Sequence, residues 1–191
     1  MVETEEAIRR FLEGEEEAFS RIVRQWERKV FNLAWRMLGN REDAQDVVQE
    51  TFLSIFRSIG SLRDPGSFST WLFTITLNHC RARRKSRSSS PLLSDVVSEQ
   101  GEGDGGLLNV IPAVDNTSDS VEALDIVRKA LADLSDEHRT AIILKEYLGL
   151  SLEEVAGVMN CPLSTAKSRL YHGLRDVQRN LKRLGIKLRE N

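Results

Sequence analysis

Cysteine, proline and histidine are all scarce in this 191-residue chain, with two, four and three residues respectively. Two thiols, Cys80 and Cys161, make no disulfide scaffold and cannot alone fill a structural zinc site, so both are expected to be ordinary reduced cysteines. Catalytic chemistry is poorly supplied as well. His79 beside Cys80, and His138 near Asp136 and Glu137, are loose candidates for an enzyme acting on nucleic acid. Neither belongs to a convergent set of nucleophile, base and orienting group, so no catalytic residue, metal or cofactor is expected. The chain also lacks an apolar run long enough to cross a bilayer and an N-terminal signal segment. A soluble cytoplasmic protein with no membrane insertion of its own is the expectation.

What is abundant is charge, and it is segregated. The net charge of −2 conceals a basic block at Arg81, Arg83, Arg84, Lys85 and Arg87. From Pro91 to Asp125 there is no Lys or Arg but eight Asp or Glu. From Leu163 onward, Lys167, Arg169, Arg175, Arg179, Lys182, Arg183, Lys187 and Arg189 face only Asp176 and Glu190. Two basic patches joined by an acidic strip point to two contacts with a polyanion.

The periodicity is helical throughout, with no strand-period pattern of useful length and no internal repeat. Between Glu17 and Leu38, the residues Phe19, Ile22, Val23, Trp26, Val30, Phe31, Ala34 and Leu38 form an apolar stripe, and Gly39 suits a C-terminal cap. Asn40 can cap a second helix, which buries Ala44, Val47, Val48, Phe52, Ile55, Phe56 and Ile59. Asp64-Pro65-Gly66 signals a turn, with Pro presetting φ and Gly permitting positive φ. A third helix runs from about Phe68 into the basic block, with Trp71, Leu72 and Ile75 inward. Residues 88–118 lose periodicity and read as a linker. A second helical domain then begins near Asp119, with one helix to Asp133 and another capped by Ser135 that runs through Tyr147 with Ala141, Ile142 and Leu144 inward. The expectation is an all-α protein: one domain over 1–88, an acidic linker over 89–118, and a second domain over 119–191.

The most informative stretch is Ser151–His172. Ser151 and Glu154 have capping-box spacing, and Leu152, Val155, Ala156 and Met159 share one helical face. Asn160-Cys161-Pro162 breaks that helix, because Pro disfavours helical backbone in the residue before it. Ser164 can cap a second helix that buries Ala166 and Leu170 and exposes Thr165, Lys167, Ser168, Arg169 and His172. This is a helix-turn-helix, whose second helix can enter a DNA major groove.

The run Asp43-Ala-Gln-Asp-Val-Val-Gln-Glu-Thr-Phe52, then Phe68-Ser-Thr-Trp-Leu-Phe-Thr-Ile-Thr-Leu-Asn78 and Arg83-Arg84-Lys85, resembles region 2 of bacterial sigma factors. Leu134-Ser-Asp-Glu-His-Arg, Gly149-Leu-Ser-Leu-Glu-Glu-Val-Ala and Ser164-Thr-Ala-Lys-Ser-Arg-Leu resemble region 4. Both in this order and length are similar to the extracytoplasmic-function group, which keeps only those two regions. The resemblance implies an initiation factor that binds core RNA polymerase, through its β′ coiled coil and β flap, and directs it to promoter DNA. It also implies control by an anti-sigma factor. It places Asp43, Asp46, Gln49 and Glu50 against polymerase. It places Arg63, Ser67, Phe68, Asn78, Arg81, Arg83, Arg84 and Lys85 at the −10 element, where an opened strand needs a base pocket, stacking surfaces and backbone cations. For the −35 duplex it implies Ser164, Thr165, Lys167, Ser168, Arg169, His172 and Arg175, of which Lys167 and Arg169 suit guanine edges or phosphates. A response-regulator reading competes, since its DNA-binding domain is also four-helical. It would require an α/β receiver in the first half, and no such strands are visible.

Overall fold

The computed structural model of the chain describes residues 2–88, 130, 131 and 133–183, and among them every regular element is helical. The described residues fall into two compact units, 2–88 with 153–160 and 130–152 with 161–183. The expected linker and the expected helix from Asp119 lie almost wholly outside them.

The first unit contains α1 (Val2–Leu12), α2 (Glu17–Leu38), α3 (Arg41–Ser58) and α4 (Phe68–Ser88), with 3₁₀ turns at Ile59–Ser61 and Pro65–Ser67. Helix α2 is the spine, packed by α1, α3 and α4. Its Ile22, Trp26, Val30, Leu33, Ala34 and Met37 meet Val47, Phe52 and Ile55 of α3 and Leu72, Phe73 and Leu77 of α4 in one core. Burying each large side chain of this set contributes about 1.5–3 kcal/mol before entropy is charged against it. Trp26 organises the centre. Its ring lies edge-on to Phe68 and Phe73, at 5.7 and 5.9 Å between centroids. Its Nε1 donates to Thr4 Oγ1 at 3.2 Å, and that hydroxyl donates to Gln25 Oε1 at 2.7 Å. A buried indole N–H is thereby satisfied, as it must be, and α1 is tied to α2. The acid-rich N-terminal sequence gives no expectation of helix α1, yet Ala7 and Ile8 are fully buried.

The helix boundaries follow local chemistry. Gly39 ends α2 in the left-handed region at φ 71°, donating its N–H to Trp35 O, where a side chain would be strained. Asn40 Oδ1 then accepts from Asp43 N at 2.9 Å and starts α3. The turn at Asp64 departs from expectation: Gly66 does not use positive φ. Its N–H instead donates to Asp64 Oδ1 at 3.0 Å, and a Cβ there would stand 3.2 Å from that oxygen. Close approach, rather than backbone handedness, selects this glycine. Cys80 is fully buried, and desolvation pushes its thiol up to about 12, with Arg81 and Arg84 pulling weakly the other way. At neutral pH it is an inert, protonated core residue.

In the second unit, α5 (Asp136–Ile142) passes into a π-helical turn at Ile143–Tyr147, and α7 (Leu163–Arg183) packs along α5. Ser135 Oγ accepts from His138 N at 3.3 Å, the expected cap. Gly149, at φ 70°, turns the chain away after Leu148. Helix α6 (Leu152–Met159), which from residue 153 belongs to the first unit, has Val155, Ala156, Val158 and Met159 buried and stops at Asn160, which adopts φ 49° before Cys161-Pro162. Ser164 is not the cap of α7. The first helical bond runs from Ala166 N to Pro162 O at 3.0 Å, so Pro162 holds the cap position and Ser164 stands exposed in the first turn.

Candidate nucleic-acid interface

Helix α7 presents a cationic outer face because its inner face is fixed by Ala166, Leu170 and Gly173. Ser164, Lys167, Ser168, His172 and Arg175 are exposed, and Thr165 and Arg169 are half-buried, much as the periodicity predicts. Tyr171 is absent from the expected contacts, yet it is 69% exposed, one turn beyond Lys167 on the outer face. Its phenol both donates and accepts, and its ring can meet a thymine methyl. The signal for it lies in the helical spacing from Lys167 rather than in its charge.

The inner side of α7 holds a second polar cluster. His138 Nδ1 lies 3.1 Å from Asp176 Oδ2, and Arg179 lies 3.2 Å from the other oxygen of Asp176. The His138 ring also stacks on His172 at 6.1 Å. His138 thus fastens α5 to α7. His79 is likewise a packing residue, contacting Ser54 Oγ at 3.0 Å and Glu50 at 3.2 Å across α3 and α4.

In the first unit, α4 carries Asn78, Arg81 and Lys85 exposed and Arg83 and Arg84 half-buried, with Arg63 and Ser67 exposed on the preceding loop. Ser67 Oγ donates to Asp64 O at 2.7 Å, holding the loop in shape. A cleft of about 350 Å³ opens beside it, lined by Asp64, Pro65 and Gly66 on one side and Glu5, Ile8, Arg9 and Leu12 of α1 on the other. Two aromatic expectations are reversed. Phe68 is buried at 1% exposure against Trp26 and offers no stacking face. Trp71, expected in the core together with Ile75, is only half-buried, its ring 6.1 Å from that of Phe68.

The acidic side of α3 is not free either. Arg83 Nε donates to Asp43 Oδ1 at 3.0 Å, one terminal nitrogen contacts Asp46, and the other is 3.8 Å from Glu50. Arg87 lies 2.7 Å from the second oxygen of Asp43. Acids expected to face polymerase and arginines expected to face DNA therefore meet one another. Asp43 is only 14% exposed, whereas Asp46 and Glu50 are about half exposed and Gln49 is exposed. Below them on the same stripe stand Leu53 and Phe56, 55% and 47% exposed. Phe56 does not point inward as its place in the apolar pattern predicts. Its ring instead packs on Phe11 and Phe19 at 5.3 and 5.1 Å, forming an apolar patch.

Two helical units, each with a helix that carries a cationic outer face, have the chemistry of a protein that meets nucleic acid. Residues 22–90 match sigma-70 region 2 and residues 124–177 match sigma-70 region 4. The RNA polymerase sigma-H factor of Pseudomonas aeruginosa is 32% identical over 184 residues, covering 94% of each chain. The ECF RNA polymerase sigma-E factor of Escherichia coli K12 is 34% identical over 166 residues, covering 86% of each. Among solved structures, the sigma factor RpoE in complex with the anti-sigma factor NepR from Bartonella quintana is 27% identical at a TM-score of 0.68, over 86% of this chain and 96% of that one. CnrH, in complex with the cytosolic domain of CnrY, shares the fold at a TM-score of 0.68 and 21% identity, over 94% and 97% of the two chains. The chain belongs to the extracytoplasmic-function group of the sigma-70 family. It binds core RNA polymerase and directs promoter-specific transcription initiation. Among the described residues no helix is long and apolar enough to cross a membrane.

Proposed function

We propose that the outer face of α3, from Asp46, Gln49 and Glu50 down to Leu53 and Phe56, docks on the β′ coiled coil of polymerase. The observation that carries this is the pairing of half-exposed acids with an exposed apolar patch on one helix stripe. It suits a helix that offers arginines beside apolar residues. The loop Arg63–Ser67 with Asn78, Arg81, Arg84 and Lys85 engages the opened −10 strand, and the cleft beside Asp64 is of a size to take one unstacked base. Helix α7 reads the −35 duplex through Lys167, Ser168, Arg169, Tyr171 and His172, with Ser164 and Thr165 at its start and Arg175 on a phosphate. The second unit also meets the β flap. The protein acts by binding, with no chemical step of its own, in the cytoplasm. An anti-sigma factor masks these faces when the protein is idle. The NepR complex of a relative of the same fold supports that reading.

Transcription by reconstituted holoenzyme from promoters altered in one element at a time tests the assignment. Lys167→Ala and Arg169→Ala should relax discrimination at −35, by about 1–3 kcal/mol for each bidentate base contact. Asn78→Ala and Arg81→Ala should impair −10 engagement and leave −35 preference intact. Loss of preference for the same element by both pairs would overturn the division of labour.

A further inference from the structure

We propose that Asp43 is a positioning residue for promoter DNA rather than a polymerase contact. The carboxylate is mostly hidden: Arg83 donates a hydrogen bond to one oxygen at 3.0 Å, and Arg87 sits 2.7 Å from the other as an ion pair without hydrogen-bond geometry. It is a rigid anchor. Its own N–H is fixed by Asn40 Oδ1 at 2.9 Å, and its place in the first turn of α3 puts its negative charge at the favourable end of the helix dipole. Arg83 and Arg87 are one turn apart on α4 and so share a face. The planar guanidinium of Arg83 spans Asp43 and Asp46 with two different nitrogens, which fixes its orientation as well as its position. Left unanchored, two long cationic side chains near the end of a helix would sample many rotamers, and ordering them on a phosphate backbone would cost that entropy at the moment of binding. Asp43 removes part of that cost in advance and leaves both arginines partly open to solvent, 29% and 53% exposed.

This inference rests on the reading that α4 meets the opened −10 strand. It separates Asp43 from Asp46 and Glu50, which remain half exposed and available to polymerase. The test compares Asp43→Asn, Asp43→Glu and Asp46→Ala in the full chain, with two measurements. One is affinity for core polymerase. The other is the salt dependence of promoter opening by holoenzyme at saturating polymerase. Asp43→Asn should keep core affinity within about twofold and weaken opening. It should also make the log–log salt slope shallower by about 0.7 for each single-strand phosphate that is no longer neutralised. Asp43→Glu should recover part of the slope, and Asp46→Ala should reduce core affinity and change the slope less than Asp43→Asn does, because Arg83 Nε and Arg87 still rest on Asp43. Loss of core affinity by Asp43→Asn with an unchanged slope would overturn the proposal. A shallower slope for Asp43→Asn, with core affinity untouched by either Asp43→Asn or Asp46→Ala, would uphold it and sink the docking assignment instead. If circular dichroism shows Asp43→Asn unfolded, Arg83→Gln carries the test: a shallower slope supports the proposal and a wild-type slope refutes it.

Discussion

Phe56→Asp should lower the affinity for core polymerase by about two orders of magnitude, with the helical fold retained. Phe56 is nearly half exposed, yet its ring is braced on one side by Phe11 and Phe19. A rigid aromatic edge next to an exposed leucine is the kind of anchor that dominates an interface, where truncating such a residue costs about 2–4 kcal/mol. At 1.4 kcal/mol per tenfold this corresponds to a factor of roughly 30 to 1,000. The substitution also adds a further carboxylate to a stripe that already carries Asp46 and Glu50. Competition binding against a labelled sigma factor measures the effect. Native affinity would remove the apolar half of the docking face and leave only its acids.

The second large effect is expected far from any contact with DNA. Gly173→Val should destabilise the second unit by about 3 kcal/mol, at the upper end of the cost of overpacking a core. A Cβ at position 173 would stand 2.9 Å from Ile142 Cδ1, 3.1 Å from His138 Cβ and 3.2 Å from His138 O. The Ile142 terminus can rotate aside, but the backbone oxygen and Cβ of His138 cannot. Helix α7 must therefore move away from α5, breaking the His138–Asp176 contact as it does. Gly173→Ala should be milder, because Ala recovers up to about 1 kcal/mol of helix propensity against the same crowding. Thermal unfolding of the two variants checks the order. A valine variant as stable as the wild type would show that the crossing has slack.

Much of this architecture is written in local chemistry. Gly39 and Asn40 mark the α2–α3 junction because one residue tolerates left-handed backbone and the next accepts the orphan N–H of Asp43. The turn between α6 and α7, and the outward set from Lys167 to Arg175, follow from Pro162 and from the spacing of Ala166 and Leu170. What is illegible involves partners distant in sequence. Phe56 lies beside Ile55 and both fit an apolar stripe, but only one can face the core. The choice depends on Phe11, on a helix whose acid-rich sequence conceals it. The Arg83–Asp43 contact spans forty residues, and no spacing rule connects them. The resemblance assigns Asp43 to polymerase and Arg83 to DNA one motif at a time, and the fold puts the two together. Phe68 and Trp71 exchange roles for a similar reason: three residues apart on one helix, they are separated by the position of Trp26 on another. Gly173 lies on the inner face of α7 against His138 and Ile142, and a close helix crossing of this kind leaves no periodic trace in the sequence.

The central claim is that promoter specificity belongs to this chain only when core polymerase holds its two units on one DNA molecule. Neither basic face is large, and joint engagement gains from a raised effective concentration once a third body fixes both. Promoter binding should be measured at physiological salt for the isolated chain and for holoenzyme, on matched duplexes and on duplexes altered at −10 or −35. The account predicts weak, sequence-indifferent binding by the chain alone and tight binding by holoenzyme that is sensitive to both elements. Nanomolar, sequence-specific binding by the isolated chain would contradict it.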